Sequence, residues 1–240
     1  MPAHAPHAFL TDRAFAHRGL HGADVPENSL AAVRAAIAGG HGVECDVRLS
    51  RDGIAHIFHD RRLERLTGQR GRFATLAAAA LQALHLRESA QTVPALADVL
   101  ALTGGTTPLL IELKSDDGPR ESARLCAAVA GDLRTQPDAP VAVMSFDPLV
   151  CHWFARHRPD VVRGLVIGRR HRTGIVARRG IALAIARAMP HFIACDVRDL
   201  PRARAIPRQL RRPLLCWTVR SGRDRARARH ADQIIFETVG

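Results

Sequence analysis

The sequence predicts an α/β protein: residues 1–240 form a single domain, a (β/α)8 barrel of the TIM type. Three observations lead there. Eight apolar, β-rich runs alternate with Ala- and Arg-rich helical patterns of crossover length. The runs are predominantly apolar, as expected of parallel strands buried on both faces. Four charged motifs, His17-Arg18-Gly19, Glu44-x-Asp46, His59-Asp60 and Glu112-x-Lys114, sit toward the ends of apolar runs. Barrel enzymes gather their chemistry at that end of their strands.

The predicted strands cover residues 14–18, 42–49, 108–115, 141–146, 161–168, 191–197, 213–219 and 233–237. Helices are expected over 29–38, 95–102, 119–133, 148–157, 174–189, 201–210 and 221–230. Ser29 after Pro26-Glu27-Asn28, Asp147 before Pro148, and Ser221 are good helix start signals. No eighth helix is expected, since Glu237 is followed by only three residues in this sequence. The segment from about 50 to 94 breaks the repeat. Ser50-Arg51-Asp52-Gly53 reads as a turn and 54–59 as an extra, hairpin-like strand. Residues 61–92 then form an inserted loop or small subdomain with an Ala/Leu core, a length that in compact domains usually serves as a lid or binding element.

Composition narrows the class. No apolar run approaches the ~18 residues of a bilayer span, and the N-terminal stretch has no basic segment followed by an apolar core. A cytoplasmic location is therefore expected. The five cysteines are widely separated and form no CxxC pair, which supports neither a disulfide framework nor a zinc site. The net charge of +12 is uneven: residues 163–240 carry 18 basic and 5 acidic groups. With no aromatic residues interleaved among the arginines, nucleic acid is not an expected partner. A weak association with an anionic membrane is compatible with this charge, as is a general arginine bias. That bias is marked: the chain has 34 Arg but one Lys, Lys114, and one Asn, Asn28, with no Tyr. An ammonium is a compact point charge that guanidinium does not mimic, so its retention at 114 points to a specific role.

Strand residues two apart share a face. Glu44 and Asp46 therefore project together, as do Glu112 and Lys114. Three acids meeting on adjacent strands need a strong counter-charge, which a hard divalent cation such as Mg²⁺ or Ca²⁺ supplies. The competing reading is neutralisation by Arg18, Arg48 and Lys114 as plain salt bridges. His17 and His59 suit proton transfer to and from a phosphodiester, with Arg18 and Lys114 as cations for the phosphate. Ser145 is the one candidate protein nucleophile, and without a base partner in the sequence it reads as a pocket liner.

The strings AHRGLHGADVPENSLAAVRAAIAGG, GVECDVRLSRDGIAHIFHD, TVPALADVL, LLIELK and CWTV resemble the glycerophosphodiester phosphodiesterase family, in order along nearly the whole chain. The resemblance implies metal-dependent hydrolysis of glycerophosphodiesters to glycerol 3-phosphate and an alcohol. It assigns general acid and base to His17 and His59, and one divalent cation (Mg²⁺, Ca²⁺ or Mn²⁺) to Glu44, Asp46 and Glu112. Phosphate and substrate contacts fall to Arg18, Lys114, Glu27, Asn28 and Trp217, with Trp217 packing on the glycerol end. The implied mechanism has the glycerol 2-hydroxyl attack phosphorus, so no protein nucleophile is required. Two departures fall late: Arg220 stands where the family has Asn, and Asp232-Gln233-Ile234-Ile235-Phe236-Glu237 replaces Asp-Gly-Ile-Ile-Thr-Asp. Two alternatives remain at this point. One is a lysophospholipase D-like enzyme with an apolar groove under the insertion, the other a non-catalytic phosphate- or lipid-binding barrel.

Overall fold

The computed structural model describes residues 7–168, 174–200 and 211–238. Its strands are β1 (Phe15–Ala16), β2 (Gly42–Leu49), β3 (Ala55–Ile57), β4 (Leu109–Leu113), β5 (Val141–Ser145), β6 (Val162–Ile167), β7 (Phe192–Asp196), β8 (Leu214–Val219) and β9 (Gln233–Phe236). All but β3 run parallel, and β1 pairs with both β2 and β9, so the sheet closes into the eight-stranded barrel. The antiparallel β3 folds back on β2 with Val47 opposite Ile57. This is the hairpin expected from the turn at Ser50–Gly53.

The helices are α1 (Phe9–Asp12), α2 (Leu30–Ala38), α3 (Glu64–Thr67), α4 (Ala78–Gln82), α5 (Leu96–Thr103), α6 (Pro119–Asp132), α7 (Pro148–His157), α8 (Gly174–Ala188) and α9 (Gly222–Ala228). Ser29 Oγ, Asp147 Oδ1 and Ser221 Oγ accept from the amides of Ala32, Leu149 and Asp224 at 3.1, 2.9 and 3.1 Å. Each therefore satisfies an amide that the first helical turn leaves unpaired. The helix expected over 201–210 lies outside the described residues. No described helix is long and apolar enough to cross a membrane.

Three apolar layers organise the molecule. Phe15, Leu110, Met144, Val166, Phe192 and Ile235 fill the barrel interior, with Leu10 of α1 packed among them. A second layer joins the outer strand faces to the helices. A third, around Phe58, Leu63, Leu66, Phe73, Leu81 and Leu86, belongs to the insertion, which is a small subdomain with its own core.

Register places the chemistry. Asp46 on β2 lies directly opposite Glu112 on β4, and Glu44 is two residues earlier on the same strand. Strand β1 is shorter than the sequence predicts. It ends at Ala16 because Arg18 and Gly19 turn into the left-handed region at φ 58° and 77°. A Cβ on Gly19 would also stand 2.7 Å from Ala32, so the glycine lets the chain turn directly against α2.

One packing relation tests the interior. Gly164 on β6 is the cross-strand partner of Phe192 on β7, and a Cβ at 164 would lie 2.2 Å from that ring. Gly164→Ala should lose about 1–3 kcal/mol in urea unfolding, and the added change Phe192→Leu should recover part of it. Additive losses in the double variant would show that the two sites do not share that space.

Candidate active site

A cavity of about 420 Å³ opens at the C-terminal end of the barrel, lined by His17, Arg18, Glu44, His59, Glu112, Lys114 and Trp217 among others. The sequence-predicted catalytic, phosphate and metal residues thus meet in one place. Asp46, Glu27 and Asn28 do not line it; they stand behind it.

Glu44, Asp46 and Glu112 are all buried, with one carboxylate oxygen of each within 4.8 Å of the others. Asp46 is the most heavily supported of the three. Its Oδ2 accepts from Asn28 Nδ2 at 2.9 Å, and its backbone amide donates to Asn28 Oδ1 at 3.2 Å. Arg18 Nε lies 3.1 Å and Lys114 Nζ 2.7 Å from its carboxylate. Burial pushes this carboxyl up, but Lys114 and Arg18 outweigh it and hold Asp46 far below the usual carboxylate range. Asn28 itself sits at φ 55°, a conformation that asparagine tolerates better than most residues.

Glu44 is treated differently. Its Oε2 accepts from the Arg18 amide at 2.9 Å, while its buried Oε1 has no hydrogen-bond partner. Burial, with Asp46 adding repulsion, pushes the carboxyl up to about 7. Lys114 also contacts Glu112, so Arg18 and Lys114 do partly neutralise the cluster. Arg48 does not: it grips Asp116 at 2.7 and 3.1 Å instead. An orphaned carboxylate oxygen inside three hard oxygen donors fits a divalent cation.

Each imidazole is steered at Nδ1 by a carboxylate. His17 Nδ1 is 2.5 Å from Glu237 Oε1, and His59 Nδ1 is 2.7 Å from Asp60 Oδ1. Burial lowers both rings' affinity for protons. At His17 the charge of Glu44 and the Glu237 bond overcome that and the net shift is upward, whereas His59, near Lys114 and Arg18, is shifted down.

Several supporting residues escaped the sequence reading. Glu237 directly follows the closing strand β9, and Arg220 binds it at 2.5 and 2.8 Å, so the two departures from the family pattern are partners. Arg65 of α3 binds Glu27 at 2.7 and 2.9 Å and Asp60 at 2.5 Å. Glu27 in turn holds Arg18 at 2.7 Å, so one guanidinium of the insertion braces both Arg18 and His59 through acids. The His59-Asp60 adjacency and the Glu27 motif were visible as signals; nothing in the local sequence marked Arg65. Ser145 does not line the cavity as expected. It is buried and donates to the Leu113 carbonyl at 2.8 Å. No residue of 61–92 lines the cavity, so the insertion supplies neither a lid nor an apolar groove there. The far wall is aromatic, with Trp217 and Phe146 edge to face at 5.5 Å.

Glu44 yields a pH prediction for chelated protein. Its folded value of about 7 lies above the ordinary 4.5. The native state therefore binds its proton more tightly, and stability falls as pH rises across that window. Thermal melts in EDTA should show the decline, Glu44→Gln should remove this component, and added Ca²⁺ should restore most Tm at the alkaline end. A Glu44→Gln profile superimposable on wild type would contradict the assignment.

The chain is similar to known proteins in sequence and in fold. Over 82 residues the chain is 46% identical to the probable glycerophosphodiester phosphodiesterase 1 of Mycobacterium tuberculosis, a stretch covering 34% of this chain and 28% of that relative. The fold matches an Oleispira antarctica phosphodiesterase solved with the product sn-glycerol-3-phosphate, with TM-score 0.81, 22% identity and coverage of 96% and 94% of the two chains. It also matches the glycerophosphodiester phosphodiesterase of Thermotoga maritima, with TM-score 0.74, 23% identity and 92% of each chain covered. The model of the glycerophosphoryl diester phosphodiesterase family matches residues 17–235, from His17 into the closing strand, and the chain belongs to that family.

Proposed function

We propose that the protein hydrolyses glycerophosphodiesters to glycerol 3-phosphate and an alcohol. The observation that carries this reading is the pair of carboxylate-steered imidazoles facing one cavity with Arg18 and Lys114. Each ring is engaged at Nδ1, which leaves Nε2 for proton transfer. Oppositely shifted imidazoles divide acid from base: His59, shifted down, is the base, and His17, shifted up, is the acid.

In the proposed sequence the glycerol 2-hydroxyl attacks phosphorus and gives its proton to His59. The bond from phosphorus to the alcohol breaks, and His17 protonates the leaving oxygen. Water then opens the cyclic phosphate with the proton roles reversed. Arg18 and Lys114 bear on the phosphoryl oxygens as charge develops, and Trp217 packs against the glycerol end. Glu44, Asp46 and Glu112 would hold one divalent cation (Mg²⁺, Ca²⁺ or Mn²⁺), which when bound supplies Lewis acidity at a phosphoryl oxygen and offsets the acids. With the cation in place the pull of Glu44 on His17 weakens, and the Glu237 bond remains to keep Nδ1 protonated.

Phosphorus NMR on glycerophosphocholine tests the reading. Glycerol 3-phosphate should accumulate, EDTA should stop it, and added cation should restore it. His17→Ala and His59→Ala should each lower turnover by about 10²-fold or more while remaining folded. Phosphocholine as the product, or full turnover in EDTA, would contradict the proposal.

A further inference from the structure

At the opposite end of the barrel lies a second group of cations, and among the described residues no acid is paired with Arg163 or His191; the nearby Asp232 accepts from the Leu214 amide instead. Arg163, on β6, has a side chain that belongs to the outer strand face, since its neighbours Val162 and Val166 face the interior. The residue is only 8% exposed, yet Nε and Nη1 are buried with no hydrogen-bond partner. Its amide donates to His191 Nδ1 at 3.3 Å, which leaves the His191 proton on Nε2 as a free donor. The His191 ring stacks on His7 at 4.7 Å, and Arg212 is exposed nearby in sequence to the strand that follows.

A guanidinium this deep normally has a carboxylate. Removing one partner of a buried ion pair is strongly destabilising, and here no hydrogen-bond or ion-pair partner of the guanidinium exists among the described residues. The Cys151 thiol is not one: burial pushes it up to about 12, and it donates to the Gly164 carbonyl at 3.1 Å. Nor can the undescribed segments provide a side-chain acid, because residues 1–6, 169–173, 201–210 and 239–240 contain neither Asp nor Glu. The charges act on one another. Burial and Arg212 lower Arg163, while burial, Arg163, His7 and Arg212 drive His191 down to about 4.

We infer that Arg163, His191 and Arg212 form an oxyanion site, taking a small ligand of the phosphate class at the N-terminal end of the barrel. The planar guanidinium fork matches two oxygens of such an anion, and the His191 Nε2 proton offers a third contact. The exposure of Arg212 and the half-buried His7 put the group at the surface, within reach of a free anion. The site is separate from the catalytic cavity, whose lining includes none of these residues.

Thermal melts across an inorganic phosphate titration test the inference on wild type, Arg163→Met and Arg212→Gln. Phosphate entering the catalytic cavity affects all three proteins alike and cancels between them. Wild type should gain several degrees in Tm. Arg163→Met should match or exceed wild type without phosphate, because it removes an unpaired charge, and should lose the wild-type gain. Arg212→Gln, at an exposed position, should fold normally and bind phosphate at least tenfold more weakly. Identical phosphate responses in wild type and Arg212→Gln would overturn the inference. So would a phosphate-free Arg163→Met protein that melts well below wild type, since the guanidinium would then be satisfied within the fold.

Discussion

A fully buried carboxylate at Asp46 is the constraint around which the upper end of this barrel is built. An isolated charge there would be prohibitively costly, and the chain answers with three partners of different chemistry. Asn28 supplies a reciprocal amide pair, Lys114 a compact ammonium, and Arg18 a guanidinium edge. The amino-acid bias of the chain becomes intelligible in this light. Its only asparagine and its only lysine both serve Asp46, one through a two-way amide pair and the other as an ammonium between two carboxylates.

Two braces keep this centre aligned with the imidazoles. On one side the insertion closes over its own apolar core, which fixes α3 and aims Arg65 at Glu27 and Asp60. The subdomain thus acts by holding acids that hold functional groups, although no residue of 61–92 reaches the cavity. On the other side the closing strand leads into Glu237, shared between His17 and Arg220. Barrel closure through the pairing of β1 with β9 is therefore also what completes the His17 site.

The fold and the centre of the site were legible because both are written in local pattern. Apolar runs and helix caps announce strands and helices, and an i, i+2 pair of acids on a strand declares a shared face. The supports were less legible. Arg65 is one arginine among 34, and its role depends on where a subdomain core places α3. Glu237 and Arg220 were visible only as departures from a pattern, since their pairing joins positions seventeen apart through the pairing of β8 with β9. The length of β1 was overestimated because the left-handed turn at Arg18 leaves no trace in hydrophobicity. Ser145 carried a misleading signal: its hydroxyl satisfies a strand carbonyl rather than a ligand.

The central claim is that Glu44, Asp46 and Glu112 are spaced for a cation, and that the partnerless Glu44 oxygen marks its place. Anomalous diffraction from crystals soaked in Mn²⁺ tests this most directly. The account predicts one strong peak bonded to oxygens of all three carboxylates. A crystal saturated with Mn²⁺ that shows no peak there, with the acids still paired only to Arg18 and Lys114, would contradict it.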